Sequence, residues 1–210
     1  MDQFSRKTAE YLLQIKAIKL QPSNPFTWAS GWKSPIYCDN RKTLSFPEVR
    51  SFIRDSFAAM VKEIYPQAEM IAGVATGAIA HGALAADKLG LPFIYVRSEA
   101  KEHGLGNQIE GYFEKGQKVV VIEDLISTGG SSLNAVKALR YAGCEVLGMA
   151  AIFSYEFKKA SDSFAAAGCK LDTLSNYPVL VDTAVKTGYI GENEVDTLKK
   201  WRADPASWGK

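Results

Sequence analysis

Apolar side chains recur along this chain in two alternating rhythms. Between Asp2 and Ile18, residues Phe4, Tyr11, Leu12, Ile15 and Ile18 fall on one helical stripe. Pro22 and Pro25 punctuate the break from Gln21 to Pro25. The stretch Phe26 to Asp39 is richer in aromatics, and Ser30-Gly31 separates two short strand-like pieces, which predicts a hairpin. Apolar residues at 49, 52, 53, 57, 60, 61 and 64 predict an amphipathic helix over Val49 to Ile64. A short apolar strand follows at Met70 to Val74. Then come an Ala-rich helix from Ile79 to Leu89, stopped by Gly90, and a strand at Pro92 to Val96. The polar segment Arg97 to Gln108, with Gly104 and Gly106, reads as a mobile loop. Val119 to Ile122 is an unbroken β-branched run, as expected of a parallel strand covered on both faces. A helix from Ser131 to Ala142 ends at Gly143, and Glu145 to Phe153 is another buried strand. Beyond Lys170 the pattern weakens. Acids and lysines there predict a solvated face, with a short edge strand at Val179 to Val181 after Pro178 and a terminal helix over Gly191 to Trp201.

This alternation predicts an α/β fold with a mostly parallel central sheet flanked by helices. Ligands of such folds bind outside the carboxyl ends of the strands. The length of 210 residues suits one ordinary domain, or one with a small appendage. The net charge of +2 argues against general nucleic-acid binding. The longest apolar runs, such as Gly148 to Phe153, fall far short of the roughly 20 residues of a spanning helix, and the N-terminus has no apolar stretch of signal-peptide type. Cys38, Cys144 and Cys169 are odd in number and widely spaced, and the histidines are His81 and His103. Neither a structural zinc site nor a disulfide framework is expected, each thiol reads as a small buried residue, and a reducing cytosol is the default compartment.

The most informative stretch is VVVIEDLISTGGSS, Val119 to Ser132. A buried strand ends at Ile122, two acids follow at Glu123 and Asp124, and the turn Ser127-Thr128-Gly129-Gly130-Ser131 opens a helix. Free backbone N–H groups and the positive end of a helix dipole favour a phosphate monoester there. Acids beside an anion site are costly unless a sugar diol or Mg²⁺ offsets them. The combination fits a ribose 5-phosphate group, with the phosphate in the turn and its hydroxyls on Glu123 and Asp124. Gly73 and Gly77, in AGVATGAIAH, also follow a strand and precede a helix. They read either as a second anion cradle, suited to pyrophosphate, or as a tight turn with close packing. His81, inside the following helix, reads as structural.

The stretch at Val119 to Ser132 resembles the phosphoribosyl-pyrophosphate (PRPP) motif of the type I phosphoribosyltransferases. SGWKSPIYCDNR, Ser30 to Arg41, is similar to the hood segment of the orotate phosphoribosyltransferases, and YVRSEAKEHGLGNQIEG, Tyr95 to Gly111, to their catalytic loop. The resemblance implies the type I phosphoribosyltransferase fold, with a small N-terminal hood over the base (residues 1–45) and an α/β core (46–210). It implies transfer of ribose 5-phosphate from PRPP to orotate in UMP biosynthesis. Arg97, Lys101 and His103 match PRPP-binding and catalytic loop positions. Glu123, Asp124, Leu125, Ile126, Ser127, Thr128, Gly129, Gly130 and Ser131 match the ribose-phosphate motif, with Ser127 also near orotate. Mg²⁺ is expected mainly through PRPP, and a cytoplasmic homodimer in which the loop completes the neighbouring site is implied. A phosphoribosyltransferase for another base, or a PRPP-sensing regulator on the same fold, are the competing readings.

The loop also has a case of its own. Cationic donors closing over pyrophosphate stabilise charge that develops as the C1–O bond of the ribose breaks. Glu99 and Glu102 nearly cancel that charge, so a solvated surface loop is the alternative. Three positions depart from the family pattern. Ala29 stands where some members have Lys, Ser98 where some have a second cation, and IFSYEF, Ile152 to Phe157, contains no Arg. Lys33, or backbone amides near Ile36 and Tyr37, are left as candidates for the orotate carboxylate, with Lys33 equally readable as a surface lysine.

Overall fold

The computed structural model describes residues 2–28, 31–97 and 108–209. Its centre is a six-stranded sheet. The strands are β5 (Met70–Val74), β6 (Phe93–Val96), β7 (Ile109–Glu110), β8 (Lys118–Ile126), β9 (Glu145–Ser154) and β10 (Leu171–Asn176). Their order is β10-β9-β8-β5-β6-β7, parallel throughout except for β7, which runs antiparallel to β6 at the edge. The expected mostly parallel sheet is therefore present. Its central strands are apolar on both faces because helices cover both: Met70, Ile71, Val119 to Ile122 and Met149 to Phe153 are all buried.

The helices that cover it are α2 (Pro47–Ile64), α3 (Ile79–Leu89), α4 (Gly130–Tyr141) and α5 (Lys158–Ala166), with α1 (Asp2–Gln14), α6 (Tyr177–Lys186) and α7 (Val195–Ala203) around the β10 edge. The predicted stripe on α2 buries Val49, Ile53, Phe57 and Val61, each worth about 1.5–3 kcal/mol of transfer free energy. Gly90 ends α3 in the left-handed conformation, as its position implied. Two small antiparallel ribbons precede α2. One pairs β1 (Ile18–Leu20) with β4 (Ile36–Cys38), and the other pairs β2 (Phe26–Thr27) with β3 (Lys33–Ser34). The second is the expected hairpin, and Gly31 sits in its turn at a φ of 83°.

Four expectations need correction. The first helix ends at Gln14 rather than Ile18. Lys16 takes a φ of 56°, which turns the chain so that Ile18 enters β1 opposite Cys38. β8 does not stop at Ile122 but carries the acids and continues to Ile126, because β9 runs beside it that far. Val179 to Val181 is helical, not an edge strand. The Asn176 side chain accepts from the Val179 amide at 3.1 Å and Pro178 occupies the first turn, so this proline starts a helix instead of preceding a strand. Nor is the chain beyond Lys170 merely a solvated face, since β10 is an edge of the sheet and Leu198 and Trp201 on α7 are fully buried. No helix among the described residues is long and apolar enough to cross a membrane.

Candidate active site at the carboxyl end of β8

β8 outruns β5. Its pairing with β5 ends at Ile122, whereas its pairing with β9 continues to Ile126. The last four residues of β8 therefore have one free edge, and they hold both acids. Strand alternation sends Glu123 and Asp124 to opposite faces. Glu123 is 5% exposed and turns toward α4, where its carboxylate accepts from the Ser132 hydroxyl at 2.8 Å and from the Asp124 amide at 3.0 Å. Burial, and then repulsion by Asp124, push its pKa well above the usual carboxylate range.

Asp124 faces the other way, less buried, toward the turn between β5 and α3. A β-carbon on Gly77 would lie 2.5 Å from the Asp124 carboxyl carbon, so only glycine leaves room for the acid. A β-carbon on Gly73 would meet the Ala78 carbonyl at 2.9 Å. Neither glycine thus has room for a side chain, whether or not the turn also cradles an anion. The peptide bond between Ala75 and Thr76, in the same turn, is cis.

The free edge of β8 is closed by the ribbon segment. The Asn40 side-chain amide donates to the Asp124 carbonyl at 2.6 Å, and its own carbonyl accepts from the Cys38 thiol at 3.3 Å. Asn40 is 1% exposed, so a single side chain ties β4 to the backbone of the acid pair. After Ile126, Ser127 and Thr128 lead to Gly129, which takes a φ of 80° against Phe164 and starts α4 at Gly130. Ser131 lies in the first turn of that helix, and the turn presents the helix N-terminus at the carboxyl edge of the sheet.

Between the ribbons and the end of β8 lies a cavity of about 330 Å³ lined by Thr27, Trp28, Tyr37, Cys38, Leu125, Ser127 and Tyr155. Ser127 therefore touches both the phosphate-type turn and this cavity. Lys33 lies just behind it, donating to the Thr27 hydroxyl at 2.9 Å. Arg97 stands at the end of β6, pairs with Glu110 at 3.5 Å, and its amide donates to the Gln108 carbonyl at 2.8 Å. Arg97 and Gln108 thus both stand at the carboxyl edge that also carries Asp124. Lys101 and His103 lie outside the described residues. A larger cavity of about 630 Å³ between α6 and α7 contains none of the motif residues.

Comparison with known proteins gives this arrangement its family. Residues 48–187 match the phosphoribosyl transferase domain. The chain is 60% identical over 208 residues to the orotate phosphoribosyltransferase of Bacteroides fragilis, covering 99% of this chain and 98% of that protein. It is 56% identical to that of Porphyromonas gingivalis over the full length of both. The crystal structure of orotate phosphoribosyltransferase from Aeropyrum pernix superposes with a TM-score of 0.75 at 28% identity, covering 87% of this chain and 99% of that one. The chain belongs to the orotate phosphoribosyltransferase family.

Set beside that family's motif, the structure brings Glu123 to Ser131 to one place and adds residues that the sequence did not single out. Asn40 lies in the hood segment Ser30 to Arg41 and Tyr155 in Ile152 to Phe157, but neither was given a role there, and Trp28 lies outside both. The aromatic richness of Phe26 to Asp39 was the hint toward Trp28, and Tyr37 was named through its backbone amide. Cys144 and Cys169 are buried as expected, while Cys38 is only partly so and borders the cavity.

His81 is structural, as read. It is 1% exposed, and because Thr43 donates its hydroxyl to the Asn40 carbonyl at 2.6 Å, the His81 Nε2–H donates to the Thr43 oxygen at 3.3 Å. Burial lowers its pKa to about 4, against an opposing pull from Asp124. A depressed histidine pKa favours the folded state fully above the unfolded value near 6.5, and that gain is lost as pH falls through about 4. Unfolding free energies of the wild type from urea titration should therefore decline on acidification across this window by up to about 3 kcal/mol more than those of His81→Gln. Parallel pH profiles of the two proteins would contradict this assignment.

Proposed function

We propose that this chain transfers the 5-phosphoribosyl group of PRPP to orotate, giving orotidine 5'-phosphate and pyrophosphate, as a step of pyrimidine nucleotide synthesis. The observation that carries the reading is the junction at Ser127. One residue joins an acid-flanked phosphate turn to a cavity of about 330 Å³, large enough for a single pyrimidine ring. A ribose 5-phosphate seated in the turn, over Thr128 to Ser131, would present its hydroxyls to Asp124 and its C1 to the cavity.

In the reaction the bond from C1 to the pyrophosphate oxygen breaks, and its electron pair leaves with pyrophosphate. A ring nitrogen of orotate forms the new bond to C1 and gives up its proton to solvent. That nitrogen is acidic, so positioning and charge stabilisation dominate over base catalysis. Asp124 stabilises the positive charge that gathers on the sugar. Glu123 sits beneath it, holding the Asp124 amide and Ser132. Arg97, Lys101 and His103 act on the leaving pyrophosphate. Lys33, one hydrogen bond behind the cavity, supplies the cation for the orotate carboxylate.

Among the described residues, no group of three or more His, Cys, Asp or Glu is arranged to hold a metal ion. The donors at hand still suit Mg²⁺, which takes one or two carboxylates and fills its shell from substrate phosphates and water. Asp124 would be the protein ligand, with PRPP oxygens completing the set, and the ion would add charge neutralisation at the pyrophosphate. We further propose that residues 1–45 act as a hood over the base, that two copies of the chain assemble so that the segment after Arg97 serves the neighbouring site, and that the protein works in the cytoplasm.

The test is pyrophosphate release from PRPP and Mg²⁺ with orotate, uracil, hypoxanthine and xanthine in parallel. Turnover with orotate alone is expected. Turnover with another base but not orotate would overturn the substrate assignment, and DNA binding without any turnover would favour a regulator. Lys101→Ala is expected to lower kcat about a hundredfold while changing the Kd for PRPP far less, because its charge is needed as pyrophosphate departs. Equal kcat in mutant and wild type would remove Lys101 from the mechanism.

A further inference from the structure

The cavity owes one of its walls to the far end of the chain. Tyr155 forms part of it, just past the end of β9, where the strand ladder can no longer satisfy its backbone. Its amide still reaches the Ile126 carbonyl at 3.1 Å, and the next amide is satisfied by the Ser154 hydroxyl at 2.9 Å. The carbonyls are met from α7. Arg202 donates from Nε to the Tyr155 carbonyl at 3.1 Å and from Nη2 to the Glu156 carbonyl and carboxylate, both at 3.2 Å. Glu156 has a φ of 52°, a left-handed conformation unfavourable to a residue with a side chain, so this corner needs outside support. The guanidinium is itself seated 5.9 Å from the centre of the Tyr177 ring.

Trp201, the neighbouring residue on α7, does the same for the adjoining part of the wall. It is fully buried and meets Tyr155 edge-on at 5.7 Å and Trp28 edge-on at 5.6 Å between ring centres. Tyr155 and Trp28 also meet each other at 5.6 Å, and both line the cavity. One comes from the sheet and the other from the N-terminal ribbon. The helix that joins them lies about fifty residues beyond Tyr155 and contributes nothing to the cavity surface.

We propose that α7 is a positioning element for base recognition. In this role Arg202 fixes the Tyr155 corner and Trp201 locks Trp28 against it, so that the two touching rings form one rigid aromatic wall against which a planar ring can pack. This rests on the cavity being the orotate site. A rigid corner matters because an aromatic wall displaced by a fraction of an ångström loses its contact with a flat ligand, whereas PRPP, held by the β8 turn, is untouched.

The experiment compares Arg202→Met and Arg202→Lys with the wild type, and uses Leu125→Phe to fill the cavity directly. Arg202→Met should raise the KM for orotate about tenfold, with the KM for PRPP little changed. Arg202→Lys, which keeps a cationic donor, should recover part of that loss. Leu125→Phe should raise the orotate KM at least as much. If Leu125→Phe raises it and Arg202→Met does not, the positioning role is wrong and the cavity assignment stands. If neither changes it, both fall. A parallel rise of both KM values with a lowered midpoint in Arg202→Met and no recovery in Arg202→Lys would mark α7 as a general structural brace and overturn the proposal.

Discussion

Asp124→Asn is expected to lower kcat/KM for PRPP by about 10²–10³-fold, while Glu123→Gln costs less than about tenfold. The two acids are adjacent in sequence, yet the structure gives them different work. Asp124 lies on the open face of β8 beside the Gly77 turn. There an ionised carboxylate accepts charge-assisted hydrogen bonds from sugar hydroxyls and attracts the positive charge that builds on C1. Asparagine keeps the shape and leaves the Asn40 bond to the residue 124 carbonyl intact, but removes the charge. Glu123 is buried against α4, and burial together with Asp124 favours its protonated form. Glutamine is close to a copy of that form: its side-chain oxygen can accept from the Asp124 amide, and its NH2 can donate to the Ser132 hydroxyl oxygen. Steady-state kinetics with varied PRPP at saturating orotate decides the matter. Equal losses in the two variants would mean that both carboxylates face the sugar, and a larger loss for Glu123→Gln would reverse the assignment.

The centre of this site was legible because its chemistry is local. Strand, acids, hydroxyl-glycine turn and helix follow one another within Val119 to Ser132, and each step has a backbone consequence that a sequence expresses. The strand's true end was not legible. Whether β8 stops at Ile122 or Ile126 depends on how far β9 accompanies it, and that register is a tertiary fact. The same register creates the role of Asn40, since the Asp124 carbonyl needs a side-chain partner only because β5 has already ended. The cavity was legible only in part, because Trp28 and Tyr155 come from segments more than a hundred residues apart. Trp201 illustrates the limit most clearly. On a short helix of largely polar residues, with Asp196, Lys199, Lys200 and Arg202, a single tryptophan barely alters the pattern, yet it meets four other aromatic rings.

Gly77→Ala should inactivate the enzyme nearly as thoroughly as Asp124→Asn, by about 10²-fold or more in kcat/KM, although residue 77 carries no chemistry. The backbone at Gly77 is not left-handed, so alanine fits its φ and the effect is one of space. The added carbon would stand 2.5 Å from the Asp124 carboxyl carbon and 2.7 Å from Oδ1, well inside van der Waals contact. The backbone of residue 124 has little freedom to retreat, because Asn40 holds its carbonyl and Glu123 holds its amide, so the carboxylate can yield only by rotating. Either the acid turns out of position or the turn shifts, at a cost of about 1–3 kcal/mol in stability. Because both mutations act on one group, their effects should not add. In an Asp124→Asn background, Gly77→Ala should reduce kcat/KM by a factor several-fold smaller than in the wild type. Full additivity would show that the turn acts on the substrate independently and would support the reading in which Gly73 and Gly77 frame a pyrophosphate site. Wild-type activity in the single Gly77→Ala variant would remove the contact with Asp124 from any account of the mechanism.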